Sequence, residues 1–177
     1  IFLGSVTIAP SEVINVFFGD GDSNIAAIVL KFRLPKAITA ILVGMALSMS
    51  GLQMQTIFRN PMAGPYVLGV SSGASLGVAI VIMGFYSGIA PADLMTLGNW
   101  VLTLAACLGA GVVMILILAI SARIKDVMTI LIIGIMLASG LSAVVSILQY
   151  FSSETMLKAY VVWTMGSLGN LSSGQLQ

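Results

Sequence analysis

The chain has 177 residues, of which 59% are hydrophobic and only 7% charged, with a mean hydropathy of +1.12; an ordinary soluble domain carries roughly a quarter charged residues. Such a composition excludes a soluble globule. Seven Lys and Arg against six Asp and Glu leave a formal charge of +1, too little basic surface to neutralise a row of phosphates, which argues against a nucleic-acid partner.

No basic start followed by a short apolar run and a cleavage site follows Ile1, and the chain reads as an internal piece of a larger protein. Pro10-Ser11-Glu12 opens a stretch with Val13, Ile14, Phe17 and Phe18 at helical spacing, closed by Gly19. This predicts a short helix lying on a surface. Asp20-Gly21-Asp22-Ser23-Asn24 resembles the start of a calcium loop, but Ile25 stands where Gly is needed and Lys31 where Glu is needed, so a solvated turn is the better reading.

From there the ionic residues act as punctuation. None occurs from Ala37 to Phe58, from Asn60 to Ala92, from Leu94 to Ala122, or from Val127 to Ser153. A bilayer core about 30 Å thick takes about 20 apolar residues of helix, because backbone groups in lipid must pair within their own segment. Four spans are therefore expected, about Ala37 to Ile57, Val67 to Phe85, Trp100 to Ile120 and Val127 to Phe151. Arg59 to Pro65 between the first two holds two prolines and a glycine and predicts an ordered tight reversal. Gly88 to Asn99 and Ser121 to Asp126 are too short for a soluble domain, so residues 1–177 form one membrane unit. Glu154 to Met165 is too short to cross and predicts a re-entrant or interfacial helix, with Tyr160 and Trp163 at headgroup level. Gly166 to Gln177 reads as a small-residue turn region.

Basic residues do not orient these spans. With alternating sides, Lys31, Arg33, Lys36 and Lys158 oppose Arg59, Arg123 and Lys125, a balance that decides nothing under the positive-inside rule.

Gly69, Gly73 and Gly77 recur every four residues and leave one face of the second span nearly bare backbone, which predicts close helix packing rather than direct contact with a solute. Met45 and Met49, one turn apart among eleven Met, have neither Cys nor His beside them and read as gap-filling side chains rather than copper(I) ligands. Cys107 is a small hydrophobe that forms no internal disulfide, and it leaves the redox compartment open. Gln53, Gln55, Gln149, Ser152 and Ser153 place polar groups at span ends, where they are solvated at the interface or line a hydrated path. No charge lies deep in a span, which argues against a proton relay or voltage sensor. Histidine is absent and no Walker-type phosphate loop occurs, so the segment carries no catalytic set, no metal site and no cofactor site of its own.

Arg33-Leu34-Pro35-Lys36, Leu42-Val43-Gly44, Ser50-Gly51-x-x-x-Gln55, Arg59-Asn60-Pro61-Met62-Ala63-x-Pro65, Leu68-Gly69-Val70-Ser71-Ser72-Gly73-Ala74 and Trp163-x-x-Gly166-Ser167-Leu168 follow in order. Together they resemble the FecCD family, the transmembrane permease subunits of ABC importers for iron-siderophores, haem and cobalamin. The departures are Lys36 where Arg is common and Met62 where Leu is usual. The resemblance covers the whole chain and about the first half of a family member. It implies an all-α, polytopic membrane fold of the type II ABC-importer permease kind, here partial, with about four spanning helices and short interfacial ones.

The resemblance further implies a bacterial cytoplasmic-membrane permease that pairs with a second, identical or different, permease subunit. Two cytoplasmic ATPase subunits would hydrolyse ATP, an extracytoplasmic substrate-binding protein would deliver a metal chelate, and membrane lipid would surround the helices. Arg33 and Lys36 would face outside and dock that binding protein; Asn60-Pro61-Met62 and Arg123-Ile124-Lys125 would face the cytoplasm. Asn60 and Met62, with Val127 and Met128, would lie at the inner mouth of a translocation pathway, and Ser152 and Ser153 near its outer mouth. A stand-alone channel, an ion-coupled secondary carrier or a packing-only scaffold are the rival readings.

Overall fold

A computed structural model describes residues 7–19, 23–84, 91–124 and 126–166, with backbone alone over 91–99. The expectations for residues 20–22, 85, 88–90, 125 and 167–177 lie outside the described residues. The chain divides into two compact units, one of residues 1–48 with 167–177 and one of residues 49–166.

In the first unit, α1 (Pro10–Phe18) starts with proline at its first turn, where a missing N–H costs nothing, and the Glu12 carboxylate accepts the Ala9 N–H at 3.2 Å. Gly19 ends it at φ 92°, in the left-handed region that glycine enters freely. Val13 and Val16 turn inward onto Ile8 and Val29, while Ile14, Phe17 and Phe18 stay exposed.

A long helix follows, α2 (Ser23–Phe58), which starts well before Ala37. Lys31, Arg33 and Lys36 end an ion-free run without ending a helix, because both residue types propagate helices well. Its early part, Ile28–Arg33, is wound as a π-helix, with the Leu34 N–H bonded to the Val29 carbonyl. Pro35 supplies the reason: a proline inside a helix has no N–H to give and clashes with the carbonyl four residues back, and one wider turn relieves both.

In the second unit a 3₁₀ turn at Pro65–Leu68 leads to α3 (Val70–Gly84), whose first 10 residues are α-helical and last 5 π-helical. The second span, expected from Val67, thus becomes α-helical at Val70. Gly69 stands at φ 78° between turn and helix and breaks the α-helical register there. α4 (Pro91–Ser121) has 31 residues, α5 (Val127–Phe151) 25 and α6 (Glu154–Thr164) 11. α2, the stretch Trp100–Ser121 of α4, and α5 are each long and apolar enough to cross a membrane.

Two apolar clusters hold this unit together. Phe58, Ala63, Leu68, Val113 and Ile117 form one, and Val78, Ala79, Ile82, Val145 and Tyr160 the other. Tyr160 is 4% exposed and stacks on Trp163 with ring centroids 6.2 Å apart. Large apolar side chains elsewhere on α4 and α5, among them Leu108, Ile115, Met136 and Ile147, are exposed, as helices in contact with lipid or further protein require.

Candidate functional site

The glycines of α3 set its distance from its neighbours. A methyl group built on Gly73 would lie 2.5 Å from Val113 Cγ2 and 2.6 Å from the Gly109 carbonyl oxygen; one on Gly77 would collide with the Ala105 carbonyl, and one on Gly109 with the Gly73 carbonyl. α3 and α4 therefore meet backbone to backbone, the arrangement that shape fit favours where lipid already satisfies apolar side chains. Gly69 faces a different partner, Ala138 of α5, with its nearest atom 3.2 Å from an added methyl; Gly134 of α5 in turn lies against Leu68. Gly109 and Gly134 were not singled out in the sequence, although Ala105-x-x-x-Gly109 carries the same small-residue spacing as α3.

The reversal after α2 is tied down by its own polar groups. Arg59 takes φ 47°, unusual for a residue with a side chain. The Asn60 side-chain carbonyl accepts the Met62 N–H at 2.9 Å, Gln55 Nε2 donates to the Pro61 carbonyl at 3.0 Å, and the Ala63 N–H reaches the Asn60 carbonyl at 3.0 Å. Met62 projects outward, 83% exposed, whereas Ala63 is buried in the first cluster. Val127 packs against that same cluster, so the structure brings the Asn60–Met62 loop and the start of α5 to one end of the unit, with Met128 exposed beside it.

Asp126 caps α5 there, its carboxylate accepting the Thr129 N–H at 2.8 Å and the Thr129 hydroxyl. The Thr129 hydroxyl, then its backbone N–H, hold the Asp126 carboxyl below its ordinary value. The sequence shows this cap plainly as Asp followed by Thr three residues on, ahead of an apolar run. Ser152 and Ser153 stand at the opposite end of α5, about 37 Å away by helical rise. Ser152 ends α5, its N–H and hydroxyl both donating to the Gln149 carbonyl, and Ser153 occupies the N-cap position of α6.

Arg33 and Lys36 sit three residues apart on α2, within the first unit, with Arg33 at the end of the π turn. Lys36 is exposed and Arg33 partly so.

Two concavities mark the α3–α5 side of the second unit. A cleft of about 580 Å³ lies over Tyr66, Val67, Ile135, Ala138, Ser139 and Ser142. A recess of about 280 Å³ adjoins it, lined by Ser71, Ser72 and Ser75 of α3, by Ser142, Val145, Ser146 and Gln149 of α5, and by Tyr160 of α6. Ser72 and Ser142 hydroxyls approach to 3.4 Å across it. Sequence reading named Gln149 as a polar group at a span end but missed the serines that join it here. Their only signal was the spacing Ser139-x-x-Ser142-x-x-x-Ser146-x-x-Gln149 on one helical face.

Apolar helices long enough to cross a bilayer, packed through bare backbone, define an integral membrane protein. The chain belongs to the FecCD transport family, whose model matches residues 1–177. It is 34% identical over 168 residues to the iron(3+)-hydroxamate import system permease protein FhuG of Bacillus subtilis, covering 94% of this chain and 49% of that one. To the vitamin B12 import system permease protein BtuC of Escherichia coli it is 36% identical over 144 residues, 81% of this chain and 41% of the relative. Among solved structures, a candidate metal-chelate type ABC transporter in an inward-facing conformation matches with a TM-score of 0.74 and 31% identity, covering 88% of this chain and 46% of that one. The chain thus spans about half the length of the relatives it matches.

Proposed function

We propose that the chain is part of the permease subunit of an ATP-driven ABC importer, one that moves an iron-siderophore, haem or cobalamin-type chelate across the bacterial cytoplasmic membrane. The observation that carries this reading is family membership along residues 1–177, and the names of the relatives, permeases for iron(3+)-hydroxamate and vitamin B12, supply the substrate class. Bond-breaking belongs to partners in this reading. Two cytoplasmic ATPases toggle a pair of permease subunits, identical or different, between outward and inward openings, and an extracytoplasmic binding protein delivers the chelate.

Arg33 and Lys36, as long cations on α2, fit the docking role, speeding encounter with an acidic surface more than adding affinity. Asn60, Met62, Val127 and Met128, gathered at one end of the unit, fit the inner mouth; Ser152 and Ser153, at the far end of α5, fit the outer one. Gly69, Gly73 and Gly77 take the packing role, and support for it lies in the small clearances around them.

The test is uptake in proteoliposomes that contain the full-length subunit, its ATPase and its binding protein, with a ferric hydroxamate and cobalamin offered in turn. Uptake of one of them that needs ATP and survives an ionophore is expected. Uptake without the ATPase, abolished by the ionophore, would instead establish the ion-coupled carrier, and leak of solute without either would establish the channel.

A further inference from the structure

The end of α2 is closed by a left-handed residue that is not glycine. Arg59 takes φ 47°; its N–H reaches the Thr56 carbonyl at 3.4 Å, and the Asn60 N–H reaches the Gln55 carbonyl at 3.2 Å. These are the two bonds of a Schellman cap, in which glycine ordinarily takes the left-handed place because a Cβ is disfavoured there. Such a backbone persists where neighbouring contacts over-determine it. The turn that follows supplies some of them. Asn60 and Pro61 occupy the first two places of a four-residue turn, which the Ala63 N–H closes on the Asn60 carbonyl at 3.0 Å, and these residue types favour those places. Ala63 is 4% exposed among Phe58, Leu68, Val113 and Ile117, which anchors the far side of the turn.

Gln55 ties cap and turn together. Its backbone carbonyl accepts the Asn60 N–H, and its side-chain amide donates from Nε2 to the Pro61 carbonyl at 3.0 Å. One residue of α2 thus holds two successive residues of the corner. Both bonds lie within residues 49–166 and do not depend on what covers this end of the unit. The chemistry suits glutamine: its amide offers donors to a carbonyl, whereas a glutamate of the same shape would offer only acceptors.

We propose that Gln55 is the positioning residue of the inner mouth, its double grip making the Asn60–Met62 corner a stiff extension of the last turns of α2. Met62, 83% exposed, then moves with that helix end and not as a pendant loop. A displacement of the helix end reaches Met62 undiminished, whereas a loose corner would absorb it in its own backbone torsions. The inner mouth rests on the importer reading; the grip itself does not.

Nitroxide spectra of the complete importer in lipid vesicles test the grip without ATP or chelate. In an otherwise cysteine-free background that includes Cys107→Ser, the label is placed at Met62→Cys. A second label at Met128→Cys, 59% exposed at the start of α5, is the control for packing at this end of the unit. Gln55→Glu keeps the shape and removes the donor, while Gln55→Lys changes the shape and keeps a donor. Gln55→Glu should shorten the rotational correlation time at position 62 about twofold or more, and Gln55→Lys should leave it at the native value, with position 128 unaltered in both. A Gln55→Glu spectrum equal to the native one, or a Gln55→Lys spectrum as loose as that of Gln55→Glu, would overturn the proposal. Loosening at both label positions would overturn it too, since it would show a general melting of this end. With Met62 in place, Gln55→Glu should also lower the maximal rate of ATP-driven uptake about threefold or more, without changing the half-saturating concentration of loaded binding protein. A loosened corner with an unchanged maximal rate would overturn the positioning role, and uptake that needs no ATP would refute the importer reading alone.

Discussion

Gly77 has the Ala105 carbonyl where a side chain would begin, whereas Gly111, on the same α4 neighbour, faces open space. Substituting Gly77→Val should cost about 1–3 kcal/mol or more by overpacking, read as a lower melting temperature in detergent, while Gly111→Ala should be neutral or slightly stabilising. Asp126 gives a pH-dependent counterpart. Its carboxyl is held below the ordinary 3.8 by the Thr129 bonds, so its contribution is fully present above the unfolded value and disappears as pH falls through the lower, folded one. Asp126→Ala should therefore melt below wild type at neutral pH, and the two curves should converge in acid. Convergence at neutral pH instead would show that the cap does not hold α5. Both residues were legible in part: the glycine period showed that something packs there, but its partners Ala105 and Gly109 lie on another helix and need the register between helices, which local spacing does not carry.

At the scale of elements, α2 shows what a run free of ions does and does not reveal. A charge is costly in lipid, so the uncharged stretches located the long helices; Lys31, Arg33 and Lys36 marked a change of surroundings and left the helix start at Ser23 unseen. The π turn at Ile28–Arg33 follows from Pro35. With Pro35→Ala an N–H becomes available to the Lys31 carbonyl, and residues before position 33 should rotate by about 100° relative to the rest of α2 as ordinary winding returns. A nitroxide accessibility scan over residues 25–40 checks this, and an unaltered pattern would mean that proline is not the cause. Reversing charge on the same element, Arg33→Glu with Lys36→Glu, should slow association of the binding protein about tenfold or more at low salt and much less at high salt. Equal rates measured by surface binding would remove the docking role. The start of α3 at Val70 was not legible, because Gly64 to Gly69 is as free of ions as the helix that follows and its 3₁₀ turn is set by Pro65 and the left-handed Gly69.

For the whole molecule, class and family were readable because composition and ordered motifs are properties of the chain as a line. The recess was not, since Ser71 and Ser75 on α3, Gln149 on α5 and Tyr160 on α6 become neighbours only after three helices pack. Trp163 and Tyr160 suit a headgroup layer by type, and Tyr160 packs against Val78 and Ile82 as well. The spacing of the helices also distributes stiffness unevenly. α3 and α4 touch through bare carbonyls at Gly73, Gly77 and Gly109 and should travel as a single plank. α5 is pinned to Leu68 and Gly69 through Gly134 and Ala138 in its first half and to the second cluster through Val145, while beyond Val145 toward Gln149 it borders the recess. Any bending of α5 would thus have its fulcrum near Val145 and its widest swing beside Ser152, like an oar in a rowlock. Spin-label distances from α3 to the Gln149 end should spread more with nucleotide state than those to the Gly134 end.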